Sequence, residues 1–230
     1  MTEVAMVTGA AGEIGEAVAR RLASAGVRCV LVDRDPAVHG IAAGIGGVAV
    51  AGDLSDPDLA TRAVAHAGGR LDLLVLNAES GCADTDPAML DLRGYKSVVA
   101  ANQHGVVYAL RAALPLMRRR RRGSIVVTAS VAGLVGLETD PFHTMTTHAV
   151  IGLVRASAGP LAREGIRLSA VCADPYCIMP GGHVHDGTDG SAGGEIAEAV
   201  VNALRTAEPG SELVLRPGRP LVPYAPAPLP

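Results

Sequence analysis

The chain has 230 residues, which suits one α/β domain and leaves little room for a second core. Hydrophobic residues make up 49% of the chain and aromatic residues only 2%, so we predict a core of Ala, Val, Leu and Ile, as in a parallel sheet with helices on both faces. The net charge of -3 argues against a surface for nucleic acid, which requires clustered positive charge.

The sequence shows no signal for export or membrane insertion. Residues 1–10 lack the basic and apolar pattern of a signal peptide, and no run reaches the roughly 18 apolar residues that cross a membrane. The cysteines show neither CxxC pairs nor a compact metal spacing, and they are Cys29, Cys82, Cys172 and Cys177. We therefore expect a cytoplasmic protein with free thiols.

Apolar runs of strand length alternate with helical stretches from the first residues onward. The strands are predicted at VAMVTG, VRCVLVD, VAVAGD, LDLLVLNA, GSIVVTAS, IRLSAVCA and ELVLRP, and the main helices at residues 13–25, 95–120, 144–163 and 195–205. Such alternation implies βαβ units with right-handed crossovers. We predict one three-layer α/β domain over residues 1–230, with a doubly wound parallel sheet of about seven strands.

Proline and glycine interrupt the regular pattern in three places. Residues 175–194 have neither a helical nor a strand period and are predicted to form a long loop. The tail, residues 218–230, contains five prolines and is predicted to lie extended without continuing the sheet. Gly159-Pro160 is predicted to kink or end the helix at residues 144–163.

A glycine-rich sequence, TGAAGEIG, occupies the turn from the first predicted strand to the first predicted helix. At such a turn, glycines let a pyrophosphate approach the backbone and the positive end of the helix. The alternative is a tight strand-to-helix turn that binds nothing. The predicted contact residues are Thr8, Gly9, Gly12, Ile14 and Gly15.

Asp33 strengthens the interpretation of this loop as a cofactor site. It follows Gly15 by eighteen residues at the end of the second predicted strand, where a carboxylate can accept both ribose hydroxyls of NAD. The adjacent Arg34 can receive the 2′-phosphate of NADP. We predict binding of NAD(H) or NADP(H), with Asp33 favouring NAD.

Two further segments resemble the short-chain dehydrogenase/reductase (SDR) family. Asp53-Leu54 is similar to the family's adenine-contacting segment, and Asn77-Ala78 is similar to the end of its Asn-Asn-Ala-Gly strand. The resemblance implies a Rossmann fold, a nicotinamide dinucleotide as cofactor, a small-molecule substrate and a homodimer or homotetramer.

The cofactor half of the chain also departs from the family's pattern. Leu76 and Glu79 replace the first Asn and the Gly of Asn-Asn-Ala-Gly, and Glu13 stands where the smaller members have a glycine. Glu13 places a carboxylate beside a site that attracts anions, and this weakens pyrophosphate binding unless the side chain moves away. We favour a retained cofactor site, with weakened or lost binding as the alternative.

The resemblance extends to Asn102 and Ser130, which match the family's catalytic Asn and Ser. The family's Tyr is expected thirteen residues after the Ser, with Lys four residues later, and those places hold His143 and Thr147. No YxxxK sequence occurs in the chain, whose sole lysine is Lys96. The resemblance therefore implies an atypical active site.

His143 is the predicted acid or base of this altered site. An imidazole titrates near neutral pH without a neighbouring cation, whereas a phenol does not. Ser130 is then predicted to orient a substrate oxygen. The alternative for His143 is drift in a protein that no longer catalyses a reaction.

The loop at residues 175–194 covers the substrate in family members. The resemblance implies substrate contacts from this loop and from the helix after His143, at Thr147, Tyr176, His183 and His185. The spacing of His183 and His185 also permits a zinc site, but we favour a loop that faces the substrate and predict no metal.

Three functions from different classes agree with these observations. We favour non-redox acid–base chemistry by His143 and Ser130, such as dehydration, isomerisation or cyclisation, in bacterial secondary metabolism. The first alternative is an NAD(P)-dependent oxidoreductase with His143 as proton donor. The second is a non-catalytic binding or regulatory protein of the same fold.

Overall fold

The structure is a computed structural model that describes residues 2–77, 86–174, 192–216 and 218–225. Its centre is an eight-stranded sheet with the order β3-β2-β1-β4-β5-β6-β7-β8. The strands are β1 Val4–Thr8, β2 Arg28–Asp33, β3 Val48–Ala51, β4 Leu73–Leu76, β5 Gly123–Ser130, β6 Ile166–Ala173, β7 Glu212–Leu215 and β8 Val222–Pro223. All neighbouring pairs are parallel except β7 and β8.

Helices cover both faces of the sheet. They are α1 Glu13–Ser24, α2 Val38–Gly44, α3 Pro57–Ala65, α4 Leu92–Val99, α5 Gly105–Arg120, α6 Pro141–Arg163 and α7 Ala192–Thr206. A π-helical turn, Ala100–His104, joins α4 to α5, and 3-10 turns form at Pro87–Met89 and Val131–Gly133. The prediction of a doubly wound α/β sheet is confirmed, and one strand more than predicted is present.

Two hydrophobic clusters lie on opposite faces of the sheet. One cluster packs the sheet against α3, α5 and α6, and the other packs it against α1, α2 and α7. Nearly all their members are aliphatic, because a sheet with helices on both sides presents buried residues in both directions along each strand. The strands β1, β4 and β5 are buried over their whole length.

The sheet reverses its winding direction beside β1. The strand β1 pairs with β2 on one side and with β4 on the other, so the loops that follow β1 and β4 leave the sheet at the same edge and diverge. In open α/β sheets this divergence creates the crevice in which ligands bind. The fold thus places the glycine loop after β1 beside the segment that follows β4.

Several predicted boundaries were wrong. The tail joins the sheet through β8, because the backbone N–H of Tyr224 donates to the carbonyl of Glu212 at 2.7 Å. Pro160 does not end α6, which continues to Arg163 with Leu161 buried in the core.

Three helices, α4, α6 and α7, begin three residues earlier than predicted, so residues 192–194 of the predicted loop are helical. Aspartates cap α4 and α6. Asp91 precedes α4 and accepts hydrogen bonds from the backbone N–H groups of Arg93 and Gly94. Asp140 precedes α6, with Pro141 as the first helical residue. An aspartate at this position satisfies N–H groups that the helix itself leaves without partners.

Two of the four cysteines fall in the described part of the chain. Cys29 is a buried free thiol, as predicted, and burial raises its pKa to about 11. Cys172 is buried in β6. Cys82 and Cys177 lie outside the described residues. Within the part of the chain that the structure describes, no helix is long and apolar enough to cross a membrane.

Candidate functional site

The glycine loop between β1 and α1 is a tight turn held by its own backbone. Gly9 has a φ of 62°, which favours glycine, and its carbonyl accepts a hydrogen bond from the N–H of Gly12 at 3.3 Å. Gly15 lies so close to the loop that a Cβ atom there would be 2.0 Å from the carbonyl oxygen of Gly9. The first turn of α1 therefore approaches the end of β1 as closely as the backbone allows.

Asp33 ends β2 and fixes the outer side of the same loop. One carboxylate oxygen accepts the N–H of Ala11 at 2.9 Å, and the other accepts the N–H of Asp35 at 2.9 Å. Asp33 is half-buried, whereas Arg34 is exposed. Each carboxylate oxygen retains a lone pair that can accept a further hydrogen bond from a ligand hydroxyl.

Side chains at the ends of β1 and β4 tie the two strands together. The Thr8 hydroxyl donates to the carbonyl of Val75 at 3.3 Å and accepts the N–H of Asn77 at 3.0 Å. The side-chain amide of Asn77 donates to the carbonyl of Gly9 at 3.3 Å. Asn77 thus supports the glycine loop from the β4 side, while Ala78 lies outside the described residues.

The segment after β3 contributes one exposed and one buried residue. Asp53 is exposed, and its carboxylate accepts the N–H of Ser55 at 2.8 Å. Leu54 is buried and packs closely on α5. A Cβ atom added at Gly105 would lie 3.3 Å from the Cβ atom of Leu54. Leu54 therefore contributes mainly packing, and Asp53 is the residue that a ligand can reach.

These residues fit the adenosine half of a nicotinamide dinucleotide. Gly15 packs against Gly9 with no space for a Cβ atom, as in glycine loops that let a pyrophosphate approach the backbone. Asp33 offers hydrogen-bond acceptors at the end of β2. Ile14 is partly buried against the core, and its side chain packs beside the start of α1. Glu13 is exposed at the first position of α1, where its negative charge opposes a phosphate group.

Ser130 lies at the end of β5, on the other side of the crevice. Its hydroxyl oxygen accepts the N–H of Ala132 at 3.1 Å and so begins the 3-10 turn that follows β5. The residue is 1% exposed. Because Oγ acts as the acceptor in this bond, its O–H group keeps a proton that it can donate.

Asn102 lies in the π-helical turn between α4 and α5. Its side-chain amide donates to the hydroxyl of Thr146 in α6 at 3.0 Å, and both residues are buried. Single π-helical turns inserted in α-helices occur frequently at functional sites. The bond joins the π turn to the helix that carries His143.

His143 occupies the first turn of α6, where three side chains bind its backbone. Asp140 accepts its N–H at 2.8 Å, and the hydroxyls of Thr146 and Thr147 donate to its carbonyl at 3.0 Å and 2.6 Å. The imidazole ring itself is half-buried. Farther along the same turn, Thr147 is buried beneath Gly133 of the 3-10 turn.

The structure brings the predicted residues together at one edge of the sheet, in two groups. The residues predicted to bind the cofactor follow β1, β2, β3 and β4. The residues predicted to be catalytic follow β5 or lie on the π turn and α6. Tyr176, His183 and His185 lie outside the described residues. Within the described part, no group of three His, Cys, Asp or Glu side chains is placed to hold a metal ion.

Sequence reasoning missed Asp140, which accepts the backbone N–H of His143, and the contact between Thr146 and Asn102. Asp140 was detectable, because Asp followed by Pro is a common start of a helix. Thr146 gave no local signal, since its partner Asn102 is 44 residues away in the sequence.

Comparisons with known proteins agree with this geometry. A family model described as short chain dehydrogenase matches residues 3–178. The maize sex determination protein tasselseed-2 is 35% identical over 187 residues, and the mitochondrial borneol dehydrogenase of Lavandula x intermedia is 32% identical over 181 residues. Each match covers 76% of this chain, but 55% of the maize protein and 69% of the lavender protein.

A solved structure shares the fold over almost its entire length. The 3-ketoacyl-(acyl-carrier-protein) reductase of Brucella melitensis, complexed with NADH, superimposes with a TM-score of 0.83 at 25% identity. The superposition covers 94% of this chain and 98% of the Brucella chain. The chain belongs to the short-chain dehydrogenase family.

Proposed function

We propose that this chain is an NAD(P)(H)-dependent oxidoreductase that acts on a small alcohol or ketone and uses His143 to transfer the proton. The glycine loop with Asp33 supports the cofactor, and the names of similar proteins support the reaction. The lavender relative is a borneol dehydrogenase, and the Brucella neighbour is a ketoacyl reductase complexed with NADH.

The way in which α6 holds His143 carries the proposal. Its backbone is bound on both sides, by Asp140 at the N–H and by two threonine hydroxyls at the carbonyl. A fixed backbone lowers the entropy that a side chain loses when it takes up a reactive position. Imidazole also changes protonation near neutral pH without a neighbouring cation, which suits a chain whose sole lysine, Lys96, is exposed on α4.

The two groups of the site have separate roles in this reaction. Asp33 would bind the cofactor ribose, and the backbone of the glycine loop would bind the pyrophosphate. A bound nicotinamide supplies or accepts the hydride. Ser130 would donate its hydroxyl proton in a hydrogen bond to the substrate oxygen, while His143 gives a proton to that oxygen or removes one from it.

Non-redox acid–base catalysis by His143 and Ser130 is the second candidate. It is favoured by the sequence itself, because none of the four tyrosines is followed four residues later by a lysine. In that case the same two side chains would move a proton in a dehydration, isomerisation or cyclisation, with no net hydride transfer.

The test compares His143→Gln with His148→Gln as a matched control. His148 lies on the same helix and is exposed, with Nδ1 2.9 Å from the carbonyl of Thr144. Borneol with NAD+, and a 3-ketoacyl thioester with NADH, are supplied while the nicotinamide absorbance is followed. We expect turnover by the natural chain and by His148→Gln, and a fall in kcat of about 100-fold or more for His143→Gln.

Binding of NADH is measured for the same three proteins by fluorescence titration. Equal binding by all three would assign the loss of turnover to proton transfer rather than to folding. Full activity of His143→Gln would exclude the proposed role of His143. Conversion of substrate, detected by mass spectrometry, without a change in nicotinamide absorbance would favour the second candidate.

A further inference from the structure

Glu13 carries a negative charge directly after the glycine loop. It is the first residue of the helix, and its N-cap, Gly12, offers no side chain to the N–H groups of the first turn. These N–H groups carry the positive end of the helix dipole, which attracts phosphate groups, and a carboxylate on the first helical residue acts against that attraction.

The side chain of Glu13 extends over the N-terminal turn of α7. A Cβ atom at Gly193 would lie 2.6 Å from Oε1 of Glu13 and 2.7 Å from its Cγ. Only a glycine at residue 193 leaves room for Glu13 in this position. Arg21 holds the two helices in register, because its guanidinium donates to the carbonyl of Gly194 at 3.3 Å and lies 3.8 Å from the carboxylate of Glu198.

No cation neutralises Glu13 among the described residues. Glu16, one turn further along α1, differs in this respect, since its carboxylate lies 2.7 Å from the guanidinium of Arg20. Glu13 makes no such ion pair, and the nearby carboxylate of Asp33 adds negative charge on the other side of the loop. The unpaired charge of Glu13 is therefore carried by the first helical residue after the loop that would bind a pyrophosphate.

We propose that Glu13 is a selectivity residue that lowers the affinity of this loop for the pyrophosphate of a dinucleotide and leaves the affinity for the adenosine group unchanged. The proposal rests on the proposed function, because it concerns the same cofactor site. Glu13 is exposed, so its side chain can rotate away from the loop at the cost of its contact with Gly193. The dinucleotide consequently binds, but with a reduced affinity.

The test measures the binding of NADH and of adenosine to the natural chain, to Glu13→Gln and to the control Glu16→Gln. Glutamine keeps the size of the side chain and removes its charge. We expect Glu13→Gln to bind NADH about threefold to fivefold more tightly, the size of effect that one exposed charge at a helix N-terminus can produce. Adenosine, which carries no phosphate, is expected to bind all three proteins equally.

Salt concentration supplies a second readout. The difference between the natural chain and Glu13→Gln is expected to shrink as the ionic strength rises, because the repulsion between exposed charges is screened. A steric obstruction by the side chain would not respond to salt. Binding of NADH by Glu13→Gln alone would also support the proposal.

The outcomes separate this proposal from the proposed function. If the natural chain binds NADH and Glu13→Gln binds it no more tightly, the selectivity role is wrong and the cofactor site stands. If Glu16→Gln improves NADH binding as much as Glu13→Gln does, a general charge effect replaces the specific role. If none of the three proteins binds NADH or adenosine, the proposed cofactor site is itself wrong.

Discussion

Gly15 packs against the carbonyl oxygen of Gly9, and no side chain at residue 15 would fit between them. A Cβ atom at residue 15 would lie 2.0 Å from that oxygen and 2.8 Å from Cα of Ala10. Both neighbouring atoms belong to the backbone, so no rotamer change can relieve the overlap. The position of α1 relative to β1, and with it the shape of the glycine loop, therefore depends on Gly15.

Gly15→Ala is expected to destabilise the protein by about 3 kcal/mol, because α1 must shift away from β1 to admit the methyl group. Gly12→Ala is the matched control in the same loop. Its Cβ atom would lie 3.5 Å from the carbonyl oxygen of Gly9, an ordinary contact, and its φ of -75° suits any residue. We expect the control to change the free energy of unfolding by less than about 1 kcal/mol, because alanine is a poorer N-cap than glycine but reduces the entropy of the unfolded chain. Urea denaturation measures both changes, and equal losses would contradict the assignment.

Thr128 of β5 has a buried hydroxyl beside a small cavity. The hydroxyl oxygen has no hydrogen-bond partner among the described residues, and the residue is 6% exposed. We predict that this cavity holds one water molecule. Its lining consists of Leu76, Asn102, Val106, Val127, Thr128, Ala129, Thr147 and Val150. Thr128, Asn102 and Thr147 supply the polar partners that a buried water requires.

Thr128→Val is expected to lower the free energy of unfolding by about 1 kcal/mol, because valine keeps the shape of the side chain but removes one partner of this water. Density for the water is expected in a crystal structure of the natural chain and of Thr128→Ser, but not of Thr128→Val. If the cavity holds no water, Thr128→Val is expected to raise the free energy of unfolding instead of lowering it. In that case, removal of an unsatisfied buried hydroxyl would stabilise the protein.

The regular part of the fold was predictable from local patterns. Strands such as β5 are continuous apolar runs, and the glycine loop fixes where β1 ends and α1 begins. The strand β8 was not predictable, because its pairing depends on the edge that β7 offers to Tyr224 rather than on its own proline-rich sequence. A strand of two residues has no period from which to infer it.

The candidate site was predictable residue by residue but not as a set of contacts. The positions of Asp33 and Asn77 at strand ends follow from the order of the elements. The bond between Asn102 and Thr146 depends on the packing of the π turn against α6, and no spacing in the sequence encodes it. The catalytic roles of Ser130, His143 and Asn102 stay predictions until the variants of His143 are assayed.

Asp72 connects β1, β4 and β5 at the ends of these strands that lie opposite the candidate site. Its carboxylate accepts the N–H of Val4 at 3.0 Å and the Nε–H of Arg70 at 2.6 Å, and its backbone carbonyl accepts the N–H of Ser124 at 2.9 Å. The side chain of Asp72 is 2% exposed. Burial by itself raises the pKa of Asp72, but the hydrogen bonds from Arg70 and Val4 outweigh it and leave the pKa below its ordinary value.

A lowered pKa makes the contribution of Asp72 to stability depend on pH. The ionised carboxylate is favoured in the folded state, so its stabilising effect is fully present above the pKa of the unfolded chain, about 4, and is lost as the pH falls through the lower pKa of the folded state. We expect Asp72→Asn to lower the free energy of unfolding by about 2 kcal/mol at pH 7. The difference from the natural chain should narrow below about pH 4.

The measurement is urea denaturation of both proteins between neutral and acidic pH. Glu138→Gln is the control for the change in net charge, because Glu138 is exposed and lies far from Asp72 in the sequence. Its effect is expected to be small throughout the range. If the deficit of Asp72→Asn is as large in acid as at pH 7, its cause is lost packing or hydrogen-bond geometry. The charge of the carboxylate would then not be what stabilises this edge of the sheet.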